Sequence, residues 1–209
     1  MVHMKNIPDE STCRQLMDRY SMLPNIVEHS YRVCQVASFL GKALSGPEKG
    51  LDPALIVASS LLHDITKTRS LKTKEMHADT GGRLLEDLGY PRVAEVVRAH
   101  VRLSDADTIA PLREVHIINY ADKRVRHDTV VSLEERFIDL VERYGGTPER
   151  RVRIEQMREA TLELEGNIFR RIDPTPDDLQ AFNALSPFDL KTLPPQLSRG
   201  SGHHSEENA

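Results

Sequence analysis

Apolar side chains recur along this chain at spacings of three and four residues, the period of an α-helix that buries one face. In "PNIVEHSYRVCQVASFLGKAL", residues 24–44, Ile26, His29, Val33, Val36 and Leu40 fall on a single stripe. Runs that alternate strictly between apolar and polar residues and end in turns, the mark of strands, are not found. The pattern predicts an all-α fold, with helices over 9–22, 24–44, 53–64, 77–88, 91–101, 112–127, 132–145, 148–171 and 176–184.

Local chemistry marks several helix ends. Asp52-Pro53 supplies a capping carboxylate followed by proline at the first helical position, Ser132 with Glu135 fits a capping box, and Pro91 and Pro148 suit helix starts. "SGPEKG" at 45–50 and "SDADTIAP" at 104–111 read as connections. The chain divides into an N-terminal helix packing on the core at 1–23, a core domain at 24–130, a helical extension at 131–188 and a disordered tail at 189–209. Within the extension, helix 148–171 is highly charged around a sparse stripe of Ile154, Met157, Thr161, Leu164 and Ile168. Such a helix packs on the outside of a core or against a partner chain.

The apolar stripes are interrupted by polar residues. His29 lies on the stripe of 24–44; Asp122 joins Val115, Ile118 and Val125 on one face of 112–127. His77 shares a face with Gly81, Leu84 and Leu88, and His100 with Val93 and with Val96 or Val97. The nearly all-apolar "PALIVASSLLHD" ends in His63 and Asp64. One inward histidine can be satisfied by a hydrogen bond, but six inward imidazoles and carboxylates from five helices are hard to satisfy pairwise. A divalent cation satisfies several at once, and nitrogen and oxygen ligands without thiolate suit Fe, Mn, Co, Ni or Zn better than Ca.

Composition adds mainly exclusions. With 28 basic and 32 acidic residues in 209, the net charge of -4 leaves no global footprint for a nucleic-acid polymer or an anionic membrane. Cys13 and Cys34 form no close-spaced motif and read as reduced and buried. Neither a signal-peptide core nor a membrane-length apolar run is present, so a cytoplasmic location is expected.

The order His29, His63-Asp64, Asp122, with His77 and His100 between, resembles the H…HD…H…H…D signature of the HD-domain metal-dependent phosphohydrolases, and "LLHDITKT" is close to their "LLHDIGK" form. The resemblance covers about residues 25–126. It implies an all-α core in which His29, His63, Asp64 and Asp122 hold one metal and Asp64 bridges to a second held by His77 and His100. Two metals per chain are then expected, Fe or Mn before Ni, Co, Zn or Mg. "HVRL" at 100–103 lacks the double histidine of the cyclic-dinucleotide-hydrolysing subgroup, and "GYP" at 89–91 is an ordinary loop entering a helix. Ile65-Thr66 stands where isoleucine-glycine is usual and is expected to alter only the helix exit.

Two close metals generate a nucleophile from water and clamp the oxygens of a phosphoryl transfer, so hydrolysis of a small phosphorylated substrate, a nucleotide first of all, is the expected chemistry, with Asp64 and Lys67 as catalytic residues. Lys67 matches the family lysine three residues after the doublet, where an ammonium can hold a phosphate oxygen. Arg32, Arg69, Lys72, Lys74 and Arg126 complete the expected substrate-binding set, with Lys123 and Arg124 further basic residues beside Asp122. His3, His116, His127, His203 and His204 lie off the stripes or near the ends and are set aside as ligands, as is Glu28. Two rival functions remain: a metal-bound regulatory module whose helix 148–171 docks a partner, and a di-iron oxygenase on the same fold. A homodimer stays open.

Overall fold

The computed structural model describes residues 7–46, 50–103, 111–195 and 197. The connection expected at 104–111 lies almost wholly outside them, as do part of 45–50, most of 189–209, and His3, His203 and His204. Helices α1 (Glu10–Arg19), α2 (Pro24–Leu44), α3 (Pro53–Leu62), α4 (Lys67–Thr73), α5 (His77–Asp87), α6 (Pro91–Ala99), α7 (Glu114–Arg124), α8 (Leu133–Tyr144) and α9 (Pro148–Phe169) build an all-α domain.

The expected start signals act as caps. Asp52 Oδ1 accepts from the amides of Ala54 and Leu55 at 3.0 and 3.3 Å, and Pro53 opens α3. Ser132 and Glu135 close a reciprocal capping box at 3.1 and 2.9 Å. In α2 the stripe Ile26, His29, Val33, Val36 and Leu40 is buried, but so are Tyr31, Cys34, Ala37 and Leu44, because this helix is covered on most sides. It packs against α3 and α7. Gly41 lets α2 and α3 approach closely, since a Cβ there would run into Ile56. Helix α7 is buried all round, and α9 lays Ile154, Thr161, Leu164 and Ile168 inward, as its sparse stripe predicts.

Three segments differ from the sequence expectation. Residues 67–73, expected as a basic loop, form α4, whose chain reverses at Lys74 with φ 62°. A periodicity argument finds no apolar stripe in it, since none of its residues is buried. The helix expected to reach 127 stops at Arg124 and gives way to a hairpin, β1 (Val125–Arg126) with β2 (Thr129–Val130), antiparallel with Val125 facing Val130. Two-residue strands are too short to show alternation. The helix expected at 176–184 is a 3-10 helix, Asp177–Ala184.

Of the tail expected to lack structure, the described part lies on the core: Leu190 and Leu193 pack against it and Leu197 is buried. Gln35 of α2 draws the chain in by donating to the carbonyls of Ser186 and Asp189 at 2.9 and 2.7 Å. No helix among the described residues is long and apolar enough to cross a membrane.

Candidate metal centre

The turn that follows α3 carries the centre of the site. Its geometry is set by backbone bonds from Ile65 to the Leu62 carbonyl at 3.1 Å and from Lys67 to that of Asp64 at 2.9 Å. These hold His63 and Asp64 at 0% and 1% exposure beneath the apolar helix that precedes them. His29 comes from the middle of α2, His77 opens α5, His100 follows α6 and Asp122 lies near the end of α7. The C-terminal ends of α3 and α6 both run into the cluster, and their partial negative charge favours a cation there.

All six residues expected as ligands come together. His29 Nε2 lies 3.1 Å from Asp122 Oδ1, and His63 Nε2 lies 3.4 Å from Asp64 Oδ2 and 3.8 Å from Asp122 Oδ1. His77 Nε2 is 3.2 Å from Asp64 Oδ1. The ring centroids of His29, His63, His100 and His77 follow one another at 5.4, 5.1 and 5.3 Å. Two groups of ligand atoms lie close enough to share an ion, His29 with His63 and Asp64, and Asp64 with His77 and His100. Asp64 is common to both.

Three of the imidazoles are oriented by backbone. His29 Nδ1 donates to the His127 carbonyl at 2.8 Å, His63 Nδ1 to that of Ser60 at 2.7 Å and His100 Nδ1 to that of Val97 at 2.6 Å. With the proton fixed on Nδ1, each neutral ring offers a bare Nε2 to the centre, the arrangement a metal requires. His63 Nε2 and Asp64 Oδ1 are buried without a hydrogen-bond partner among the described residues, a costly state for polar atoms that a cation would relieve. The residues fit a divalent metal on both counts.

The electrostatics point the same way. Burial lowers the pKa of His29 and His77 and takes His100 down to about 3, so these rings stay neutral and able to ligate. For His63 burial again opposes charge, but the carboxylates of Asp64 and Asp122 outweigh it and raise the pKa. The same two carboxylates that favour a proton on His63 Nε2 would favour a metal cation in its place, which would leave the ring neutral. Burial would raise the two carboxyls, yet Lys67 and His63 around Asp64, and Lys123 and His29 around Asp122, hold both well below the ordinary value.

The basic residues are distributed less simply. Lys67 Nζ sits 2.7 Å from Asp64 Oδ2 with its side chain one-third exposed, at the centre and open to solvent. Arg69 pairs with Glu75 at 3.0 Å, Lys74 Nζ donates to the Leu71 carbonyl at 2.9 Å, and Lys72 is exposed on α4. Arg126 stands on the hairpin, within electrostatic reach of Glu135. Arg32 is corrected: expected to face the substrate, it is buried, and its guanidinium donates to the carbonyls of Asp128, Phe182 and Leu185 and to Gln35. Every arm of the fork is used in joining α2 to the hairpin and the C-terminal segment.

Three contributors have roles that the sequence did not assign: Lys123 was read only as a further basic residue beside Asp122, His127 was set aside and Asn119 went unnamed. Lys123 is buried with Nζ 2.8 Å from Asp122 Oδ2. His127, set aside as a ligand, adopts φ 57° in the hairpin turn and supplies the carbonyl that orients His29. Asn119 Nδ2 donates to the His100 carbonyl at 2.7 Å. In "VHIINYA" the apolar residues Val115, Ile117, Ile118, Tyr120 and Ala121 point to more than one side of the helix, a sign that α7 is covered all round and that Lys123 is too. Thr66 does more than alter the helix exit, since its hydroxyl donates to the His77 carbonyl at 2.8 Å and ties the doublet turn to α5. His116, by contrast, accepts from the Arg113 amide at 2.8 Å and caps α7.

An all-α domain enclosing a cluster of four histidines and two aspartates has the donor set to hold a divalent metal. The family model described as HD domain matches residues 26–127, so the stretch that carries all six residues is an HD domain, consistent with the HD-domain superfamily of metal-dependent phosphohydrolases. Its members are generally hydrolases, and some are not catalytic. No solved structure matches the chain closely enough to add to that assignment.

Proposed function

We propose that this protein is a phosphohydrolase that cleaves a phosphoester bond of a small phosphorylated metabolite, a nucleotide first of all, with water as the nucleophile. The observation that carries the proposal is Asp64: its carboxylate is shared by two ligand groups while Lys67 holds its second oxygen at 2.7 Å, beside solvent. His29, His63, Asp64 and Asp122 would hold one metal and Asp64, His77 and His100 a second, with Fe or Mn the best match to the donor set. Divalent metals bound there would supply Lewis acidity and lower the pKa of a water. Lys67 offers an ammonium at the open side of the cluster, where it can take a phosphate oxygen or steady a leaving group.

The test is anaerobic incubation of the protein with manganese or ferrous iron and a mixed panel of nucleotides, phosphorylated sugars and diesters, read by mass spectrometry beside Asp64→Asn. Loss of one phosphoester with the intact protein alone supports the proposal. Bound metal without turnover of any phosphoester would refute it in favour of a regulatory module, and aerobic oxygen uptake would favour an oxygenase.

A further inference from the structure

The two carboxylates of the centre are held in the same way. Asp64 Oδ2 is 2.7 Å from Lys67 Nζ and Asp122 Oδ2 is 2.8 Å from Lys123 Nζ, while the Oδ1 atoms lie 3.2 Å from His77 Nε2 and 3.1 Å from His29 Nε2. The lysines differ in setting. The Lys67 side chain is 34% exposed and that of Lys123 only 5%. Asp122 is the one hydrogen-bond partner of the Lys123 ammonium among the described residues, so a buried cation with three donors uses one of them. A buried ammonium held by a single bond is costly, and a surface role cannot account for it.

We propose that Lys123 is the second fixed cation of the centre, a positioning residue that leaves Asp122 Oδ1 to the metal and, with Lys67, makes the site select a doubly charged phosphate group over a singly charged one. The inference rests on the phosphohydrolase reading and narrows its substrate to phosphomonoesters and terminal phosphates. Two aspartates and two lysines cancel, so the charge of each bound metal stays uncompensated by these side chains. In a site of low polarity that excess favours the more highly charged ligand. A phosphodiester monoanion compensates less of it than a phosphomonoester dianion.

Calorimetry on the manganese-loaded protein at pH 8, with inorganic phosphate and dimethyl phosphate as probes, tests selection. The intact protein is expected to bind phosphate about tenfold or more tightly than dimethyl phosphate, and Lys123→Met to lose most of that ratio. Manganese titration of the metal-free protein tests positioning, with about a tenfold or greater loss of affinity expected in Lys123→Met. An unchanged anion ratio or manganese affinity in this variant overturns the proposal. Should the variant fold poorly, the paired variant Asp122→Asn/Lys123→Met decides: it removes both charges and is expected to melt above Lys123→Met, and equal melting would overturn the pairing. Failure of the intact protein to bind manganese would refute the metal centre itself, while the melting comparison, made without metal, still reports on the pair.

Discussion

His63 and His100 are oriented by one device: each follows the last residue of a helix and donates Nδ1 to the carbonyl three residues back, Ser60 at 2.7 Å and Val97 at 2.6 Å, with their rings 5.1 Å apart. Both rings therefore reach the centre from helix C-termini, already turned for ligation. Such preorganisation lowers the entropic cost of binding a metal.

The two ligand groups should be separable by mutation. His100→Gln removes a ligand only from the group containing Asp64 and His77, whereas Asp64→Asn strikes both groups. Elemental analysis after dialysis is expected to show His100→Gln keeping one class of bound metal and Asp64→Asn keeping none. Equal metal content in the two variants would contradict a shared Asp64.

Acid should destabilise the metal-free protein before the carboxylates of the unfolded chain titrate. His100 has its pKa lowered to about 3 by burial, and His29 and His77 are lowered as well. Their unfolded forms take up protons near the ordinary 6.5, so below that pH the unfolded state binds more protons and stability falls until the folded values are passed. His63, raised by its carboxylates, works in the opposite sense, stabilising below 6.5 and losing that contribution as pH rises through its folded value. With three histidines against one, the melting temperature without metal is expected to drop between pH 6.5 and 4, and a flat profile would contradict the burial of these rings.

Arg32→Met is expected to cost stability and leave substrate affinity alone. The guanidinium serves the carbonyls of Asp128, Phe182 and Leu185, which would be left without it. Hydrogen bonds to charged groups of this kind contribute about 1.5–3 kcal/mol, and urea unfolding should show a loss of at least that size. A raised KM with unchanged unfolding would restore Arg32 to the substrate.

A second buried arginine joins the metal-bearing helix to the C-terminal extension. Arg124 donates to Tyr120 at 2.8 Å, to the Val131 carbonyl at 2.7 Å and to the Pro176 carbonyl at 2.9 Å, and pairs with Glu165 of α9 at 3.1 Å. Tyr120 also donates to Glu165. Glu165→Gln leaves a buried guanidinium without its counter-charge and should destabilise the protein by about 3 kcal/mol. Metal stoichiometry is expected to stay as in the intact protein, since Glu165 belongs to neither ligand group.

Much of the site could be read from the chain because a helix turns its period into direction. His29, Asp122 and His100 each stand where an apolar residue belongs on a helical stripe, and all three are buried. The doublet at the end of "PALIVASSLLHD" was legible for a related reason, since an apolar helix carries its C-terminal residues into the core. The basic residues were not legible in this way. Arg32 and Lys67 look alike in sequence, each one turn from a ligand, yet one is buried among carbonyls and the other opens to solvent.

The sequence by itself determined the helical class, the caps that start α3 and α8, and the set of polar side chains that must face inward. Only the tertiary structure decided which of them meet. Asp64 became the shared carboxylate because α5 and α6 pack together and deliver His77 and His100 to the turn after α3. His29 owes its orientation to a hairpin carbonyl 98 residues away in the chain. Periodicity reports which face of a helix is covered, because that depends on the helix alone; what covers it depends on contacts between distant segments, which no local pattern encodes.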